Sequence, residues 1–185
     1  MASRALGPDS KILVVGTSGS GKSTFARKLA AGLGLTDIEL DALFWGPDWT
    51  QAPQPVFRER IESAMARGTG WVAHGNYSKV RDLTWGRADT VIWLDYALPV
   101  VLWRVTRRSV GRILKRKKLW GGNRESARMV FFSRDSIILW ALQTYGSNKR
   151  QYEKLIRDNA YPHLRILRLK RPREAAELLA SAGQL

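Results

Sequence analysis

Apolar and polar positions along the chain follow a repeating order. Residues 12–15 form a short run of β-branched and leucine side chains, ILVV, which predicts a buried parallel strand rather than a helix. Beyond a glycine-rich stretch, Phe25, Ala26, Leu29 and Ala30 recur on one side of a predicted helix that Gly32-Leu33-Gly34 closes. Residues 35–40, 71–73 and 91–94 read as three further strands, and residues 164–169 alternate leucine and isoleucine with arginine as a fifth. Between them lie helical patterns. Residues 56–67 turn Val56, Ile61, Ala64 and Met65 inward, and after Pro99 a stripe of Trp103, Thr106, Val110 and Leu114 is expected to pack. Residues 147–159 are a polar helix anchored by Tyr152, Leu155 and Ile156, and the last helix carries Ala175, Ala176, Leu178 and Leu179. Strands alternating with helices predict an α/β domain, a parallel sheet with helices on both faces. Residues 42–55, ALFWGPDWTQAPQP, are expected to be a loop, whose Phe44, Trp45 and Trp49 either wall a pocket or plug the core.

Composition narrows the class. A chain of 185 residues, 44% hydrophobic and 25% charged, suits one compact domain. No apolar run approaches the ~20 residues that cross a bilayer, and residues 1–10 lack the apolar centre of a secretory signal. The absence of cysteine excludes disulfides, thiolate metal sites and cysteine nucleophiles, and fits a cytoplasmic protein. Charge is the unusual property: 31 Lys+Arg against 16 Asp+Glu give +15, which favours polyanionic partners. Between Val101 and Arg134 there are eleven basic residues and one acid, Glu125. Arg104, Arg108 and Arg112 are spaced four apart on one helix, so an anion is expected against them.

The glycine-rich stretch is Gly16-Thr17-Ser18-Gly19-Ser20-Gly21-Lys22-Ser23-Thr24, a full match to G-x-x-x-x-G-K-[ST] between a strand and a helix. Glycines let the backbone curl so that its N–H groups face phosphate oxygens, and the helix adds its positive end. Lys22 is placed to reach the β- and γ-phosphates, and the Ser23 hydroxyl to ligate Mg²⁺. The pattern predicts binding of a nucleoside triphosphate, ATP with Mg²⁺. Asp41 closes the second strand, where open α/β sheets hold ligands; it is a candidate to take a proton from an acceptor hydroxyl or to order the metal's water. Gly75, Asn76 and Tyr77 stand beyond the third strand with His74, which is either a base or a structural residue. Asp95 closes the fourth strand, the position of a carboxylate facing the metal shell. The break from Lys115 to Ser126 suits a mobile flap that brings arginines over a phosphate.

With GTSGSGKST, LDALFW, HGNYSKVRDLTWGRADTVIWLD, LWRVTRR and GNRESARMVFFSRDSIILW in this order, nearly the whole chain resembles the small P-loop kinase-like proteins of the adenylate-kinase-like group, some named DNA topology-modulation proteins. The resemblance implies a P-loop NTPase fold with five parallel strands in order 2-3-1-4-5, an acceptor-side insertion at 42–70 and a basic lid at 112–135. It also implies phosphate contacts from Arg104 and Arg108, lid arginines at Arg124, Arg128 and Arg134, and an adenine border at 170–173 that includes Arg171 and Pro172. The acceptor arginine and glutamine pattern of true adenylate kinases is absent, with His74-Gly75-Asn76-Tyr77 standing in its region. The expectation is a phosphotransferase carrying the γ-phosphoryl of ATP to a small acceptor, as monomer or dimer, with Asp41, Phe44, Trp45, Gly75, Asn76 and Tyr77 around that acceptor. The alternatives are a nucleic-acid-associated ATPase using Lys115–Lys118, for which no reading motif is present, and a nucleotide switch without acceptor chemistry.

Overall fold

The computed structural model describes residues 6–114, 120–123 and 137–182. Its centre is a five-stranded sheet: β1 (Lys11–Gly16), β2 (Thr36–Glu39), β3 (Trp71–His74), β4 (Thr90–Leu94) and β5 (Arg165–Leu169). All neighbours are parallel and the order is β2-β3-β1-β4-β5, as the resemblance implied. Around it lie α1 (Lys22–Leu33), α2 (Leu40–Phe44), α3 (Gln54–Met65), α4 (Arg81–Arg87), α5 (Leu98–Leu114), α6 (Ile137–Arg157) and α7 (Pro172–Ala182).

A parallel strand buried on both faces sends successive side chains to opposite cores. Leu13 and Val15 join Trp71, Trp93, Phe57, Ile61 and Tyr152 on one face. Ile12 and Val14 join Phe25, Leu29, Ile92, Val101 and Ala175 on the other. The register sets Gly16 beside Leu94 and Val14 beside His74, so β1, β3 and β4 deliver their carboxyl ends to one edge. Among the described residues no helix is long and apolar enough to cross a membrane.

Four local expectations are corrected. Asp41 lies not at a strand end but in the first turn of α2, because β2 stops at Glu39 and residues 40–44 coil into a short helix. In α3 the inward residue of the first turn is Phe57, with Val56 half-buried, since the ring reaches the larger gap beside Phe44 and Tyr77. On α5 the packing stripe is Val101, Val105 and Ser109, while Trp103 is 66% and Val110 38% exposed. The cause is steric: a Cβ built on Gly19 would stand 2.8 Å from Val105 Cβ and 2.9 Å from Val101 O. A helix so close to the phosphate loop needs small side chains on that face, and an indole does not fit. Finally, α6 begins ten residues before the predicted Ser147, at Ile137.

Candidate active site

The loop from Gly16 to Gly21 takes backbone angles suited to glycine, with φ of 145° at Gly16, 87° at Gly19 and 95° at Gly21. Gly21 caps α1 with no side-chain hydrogen bond, so the free amides of the first helical turn face the loop's concavity. The Ser20 hydroxyl is buried there without a hydrogen-bond partner among the described residues, an orphan that a phosphate oxygen would satisfy. Lys22 folds back over the loop, its ammonium donating to Gly16 O at 2.7 Å and Thr17 O at 3.1 Å. Burial lowers its pKa to about 8, against a partial upward pull from Asp41, while Arg108 lowers it further. Arg104 closes one side: Nη1 donates to Ser20 O at 2.9 Å and the guanidinium lies 5.1 Å from the Tyr96 ring centre.

Opposite the loop, Tyr77 donates its hydroxyl hydrogen to Asp41 Oδ1 at 2.6 Å. Burial, then the Asp41 charge, pushes the Tyr77 pKa far upward, so the phenol stays a donor. The Tyr77 ring packs on Phe44 and Phe57, while Trp45 stands edge-on to Trp49. Phe44 packs against the core, one of the two expectations for this aromatic loop. Asn76 donates Nδ2 to Gly16 O at 2.7 Å and accepts from Tyr152 at 2.9 Å. Next to it a cavity of about 140 Å³ is lined by Asn76, Ser78, Arg81, Asn148 and Gln151 among others. Arg81 makes no ion pair with a described residue.

The hairpin of residues 44–52 is held from outside. Gly46 N bonds Thr50 O at 2.8 Å, Ala52 N bonds Phe44 O at 2.8 Å, and Asp48 and Trp49 take positive φ of 52° and 56°. The turn at Trp120–Gly122 docks there, Asn123 donating to Gly46 O at 2.9 Å and accepting from Trp49 N at 3.3 Å.

Asp95 keeps its position beyond β4, but Arg168 claims its Oδ2 with Nε at 2.8 Å and Nη2 at 2.6 Å, and Lys149 lies 3.6 Å away. Arg171 and Pro172 stand exposed where β5 gives way to α7. Ser18 and Ser23 are half-buried and Thr24 is exposed. The Arg112 side chain, Lys115–Lys118, Arg124, Arg128 and Arg134 lie outside the described residues. Among those described, no cluster of three or more His, Asp or Glu forms a metal cage. The half-buried Ser23 hydroxyl suits a Mg²⁺ that arrives on a triphosphate and keeps most of its waters. Sequence reasoning missed Arg81, Asn148 and Gln151, which come from α4 and α6 and carry no local motif.

A phosphate loop at a parallel-sheet edge, with a tethered carboxylate facing it, defines a P-loop nucleotide-binding protein of the kinase architecture. No family model matches the chain. It is 34% identical over 125 residues to a shikimate kinase of Rhodopseudomonas palustris, covering 60% of this chain and 61% of that protein, less than two thirds of its length. It is 32% identical over 126 residues to a shikimate kinase of Gloeobacter violaceus, covering 61% of this chain and 69% of that one. The chain belongs to the shikimate kinase family of P-loop kinases. Its fold matches that of a shikimate kinase from Acinetobacter baumannii in complex with shikimate (TM-score 0.58, 16% identity, 95% of this chain and 91% of that one). It also matches a gluconokinase from Sinorhizobium meliloti (TM-score 0.54, 17% identity, 97% and 92%). The relatives are thus P-loop kinases, as the resemblance implied, and carry shikimate-kinase rather than adenylate-kinase names.

Proposed function

We propose that this protein transfers the γ-phosphoryl group of ATP to a hydroxyl of a small polyhydroxylated acid. The observation that carries the reading is the facing pair of Lys22 and Asp41: an ammonium in the phosphate loop coupled electrostatically to a carboxylate that Tyr77 holds from behind. Tyr77 occupies Oδ1 and leaves the other oxygen to take the proton of an incoming hydroxyl or orient it. The acceptor oxygen bonds to the γ-phosphorus, the bond to the β–γ bridging oxygen breaks, and ADP carries away those electrons. The proton passes through Asp41 to solvent. Phosphoryl transfer asks for in-line positioning and charge neutralisation more than covalent help. Lys22, Arg104, Arg108 and Arg128 supply cations for that purpose. The Ser23 hydroxyl would hold a Mg²⁺ that arrives with the nucleotide, and that ion would supply further charge neutralisation. Asp95, bound to Arg168, is a scaffold rather than a metal carboxylate in this reading.

The acceptor class follows from the cavity beside Asn76. Its amides and hydroxyls suit several alcohol groups, and Arg81, without an ion pair among the described residues, suits one acidic group. Relatives named for shikimate favour the same class. The test is incubation with Mg·ATP and a panel of shikimate, gluconate, other polyhydroxy acids, neutral polyols and nucleosides, with phosphorylated product read by mass spectrometry. A phosphorylated hydroxy acid, lost in Lys22→Ala and Asp41→Asn, is the expected result. Product from a neutral polyol or nucleoside alone overturns the acceptor class, and undiminished turnover in Lys22→Ala overturns the site.

A further inference from the structure

Tyr152 has no role in the transfer chemistry, yet its place is unusual. It is 3% exposed on α6, inside the aromatic cluster of Trp85 and Trp93, and its hydroxyl leaves that cluster to donate to Asn76 Oδ1 at 2.9 Å. The two ends of an asparagine amide have nearly the same shape, so packing alone does not decide which faces the phosphate loop. The hydrogen bond from Tyr152 holds the amide in place, with Nδ2 on Gly16 O, 2.7 Å away. The reversed amide would set two oxygens against each other. Burial raises the Tyr152 pKa, so the phenol stays protonated.

Gly16 O has a second partner, the Lys22 ammonium, also at 2.7 Å. A carbonyl oxygen has two lone pairs, so both donors fit. To reach a triphosphate the ammonium must leave that oxygen. Asn76 then keeps the carbonyl hydrogen-bonded, and the departure leaves no bare acceptor under the loop. We infer that Tyr152 is a positioning residue for nucleotide binding: acting through Asn76, it holds the Gly16 carbonyl so that Lys22 can move from the loop backbone to the phosphates. The inference rests on the nucleotide site proposed above.

The test is a calorimetric titration of the full chain with Mg²⁺ and AMP-PNP, in wild type, Tyr152→Phe, Asn76→Ala and the double variant. One uncharged hydrogen bond is at stake, so each single change is expected to weaken binding about fivefold. The double variant should bind no more weakly than Asn76→Ala, because Tyr152 acts only through that amide. A Tyr152 that merely fills the core would lower the thermal midpoint and leave the dissociation constant unchanged. Wild-type affinity in Tyr152→Phe, or losses that multiply in the double variant, overturns the inference and leaves the proposed function standing. Should Tyr152→Phe fail to fold, Asn76→Ala, an exposed position, reads the same bond, and unchanged affinity there is equally fatal. Absence of AMP-PNP binding by the wild type overturns both readings.

Discussion

On the reading proposed above, Lys22 makes the binding of nucleotide proton-linked, with a size that its lowered pKa sets. In the free protein burial holds its pKa at about 8, against an ordinary lysine value of 10.5. A triphosphate beside the ammonium adds negative charge and drives that pKa back up, so the bound state keeps the proton. The site therefore takes up about half a proton per nucleotide at a pH equal to the free pKa of about 8, and close to one proton a unit higher. Over the range from about pH 7 to about pH 9 the dissociation constant should rise roughly tenfold. Titration calorimetry near pH 8.5 in two buffers of different ionisation enthalpy reads this directly, since the difference in heat gives the number of protons. An uptake of roughly three quarters of a proton is expected, falling to none in Lys22→Met. Equal heats in the two buffers, or an affinity flat across that range, would refute the reasoning. The free protein's stability follows the same shift. The unfolded chain holds this proton more tightly, so below about pH 8 both states are protonated and the burial penalty stands in full; stability from this group then rises as the pH climbs from about 8 toward the ordinary lysine value of 10.5.

Three other outcomes are expected. Tyr77→Phe removes a hydrogen bond to a carboxylate, worth about 1.5–3 kcal/mol, so kcat should fall about ten- to a hundredfold with nucleotide affinity unchanged; weakened nucleotide binding to the same degree would contradict the assignment. Gly121→Ala places a Cβ 2.4 Å from the Gly46 carbonyl carbon at a φ of +62°, which drives the turn off the hairpin. The Trp49 amide, bonded to Asn123, should then exchange its hydrogen faster, and protection equal to wild type would show that the docking is incidental. Arg168→Ala strips the main partner from the Asp95 carboxylate, whose side chain is 5% exposed, and denaturant unfolding should show a loss of about 3 kcal/mol. A change within experimental error would mean that Lys149, 3.6 Å away, suffices alone.

The phosphate loop and the strand order were readable from the chain because both rest on local signals: a contiguous motif, and apolar runs separated by helical periods. The inward face of α5 was not. Periodicity favoured Trp103 and Val110 for their hydrophobicity, whereas close approach to Gly19 selected Val101, Val105 and Ser109 for their size. The end of the sheet that carries Asp41 was readable in part. Asp41, Asn76 and Tyr77 follow strands directly, where topology places ligands, but the short helix carrying Asp41 did not show in so brief a segment. Arg81, Asn148 and Gln151 meet around one cavity only because α4 and α6 pack over the same end of the sheet. Their sequence separation leaves no spacing to recognise. The bond from Tyr152 to Asn76 spans 76 positions and depends on the direction of a hydroxyl within an aromatic cluster, which composition does not encode.

The central claim is transfer from nucleotide to acceptor at the Lys22–Asp41 pair, and its most direct measurement is acceptor-dependent release of ADP. With Mg·ATP and a polyhydroxy acid the wild type should release ADP in one-to-one proportion to phosphorylated acid, and Asp41→Asn should bind the nucleotide while releasing almost none. ADP formation that is indifferent to every acceptor and survives in Asp41→Asn would contradict the account.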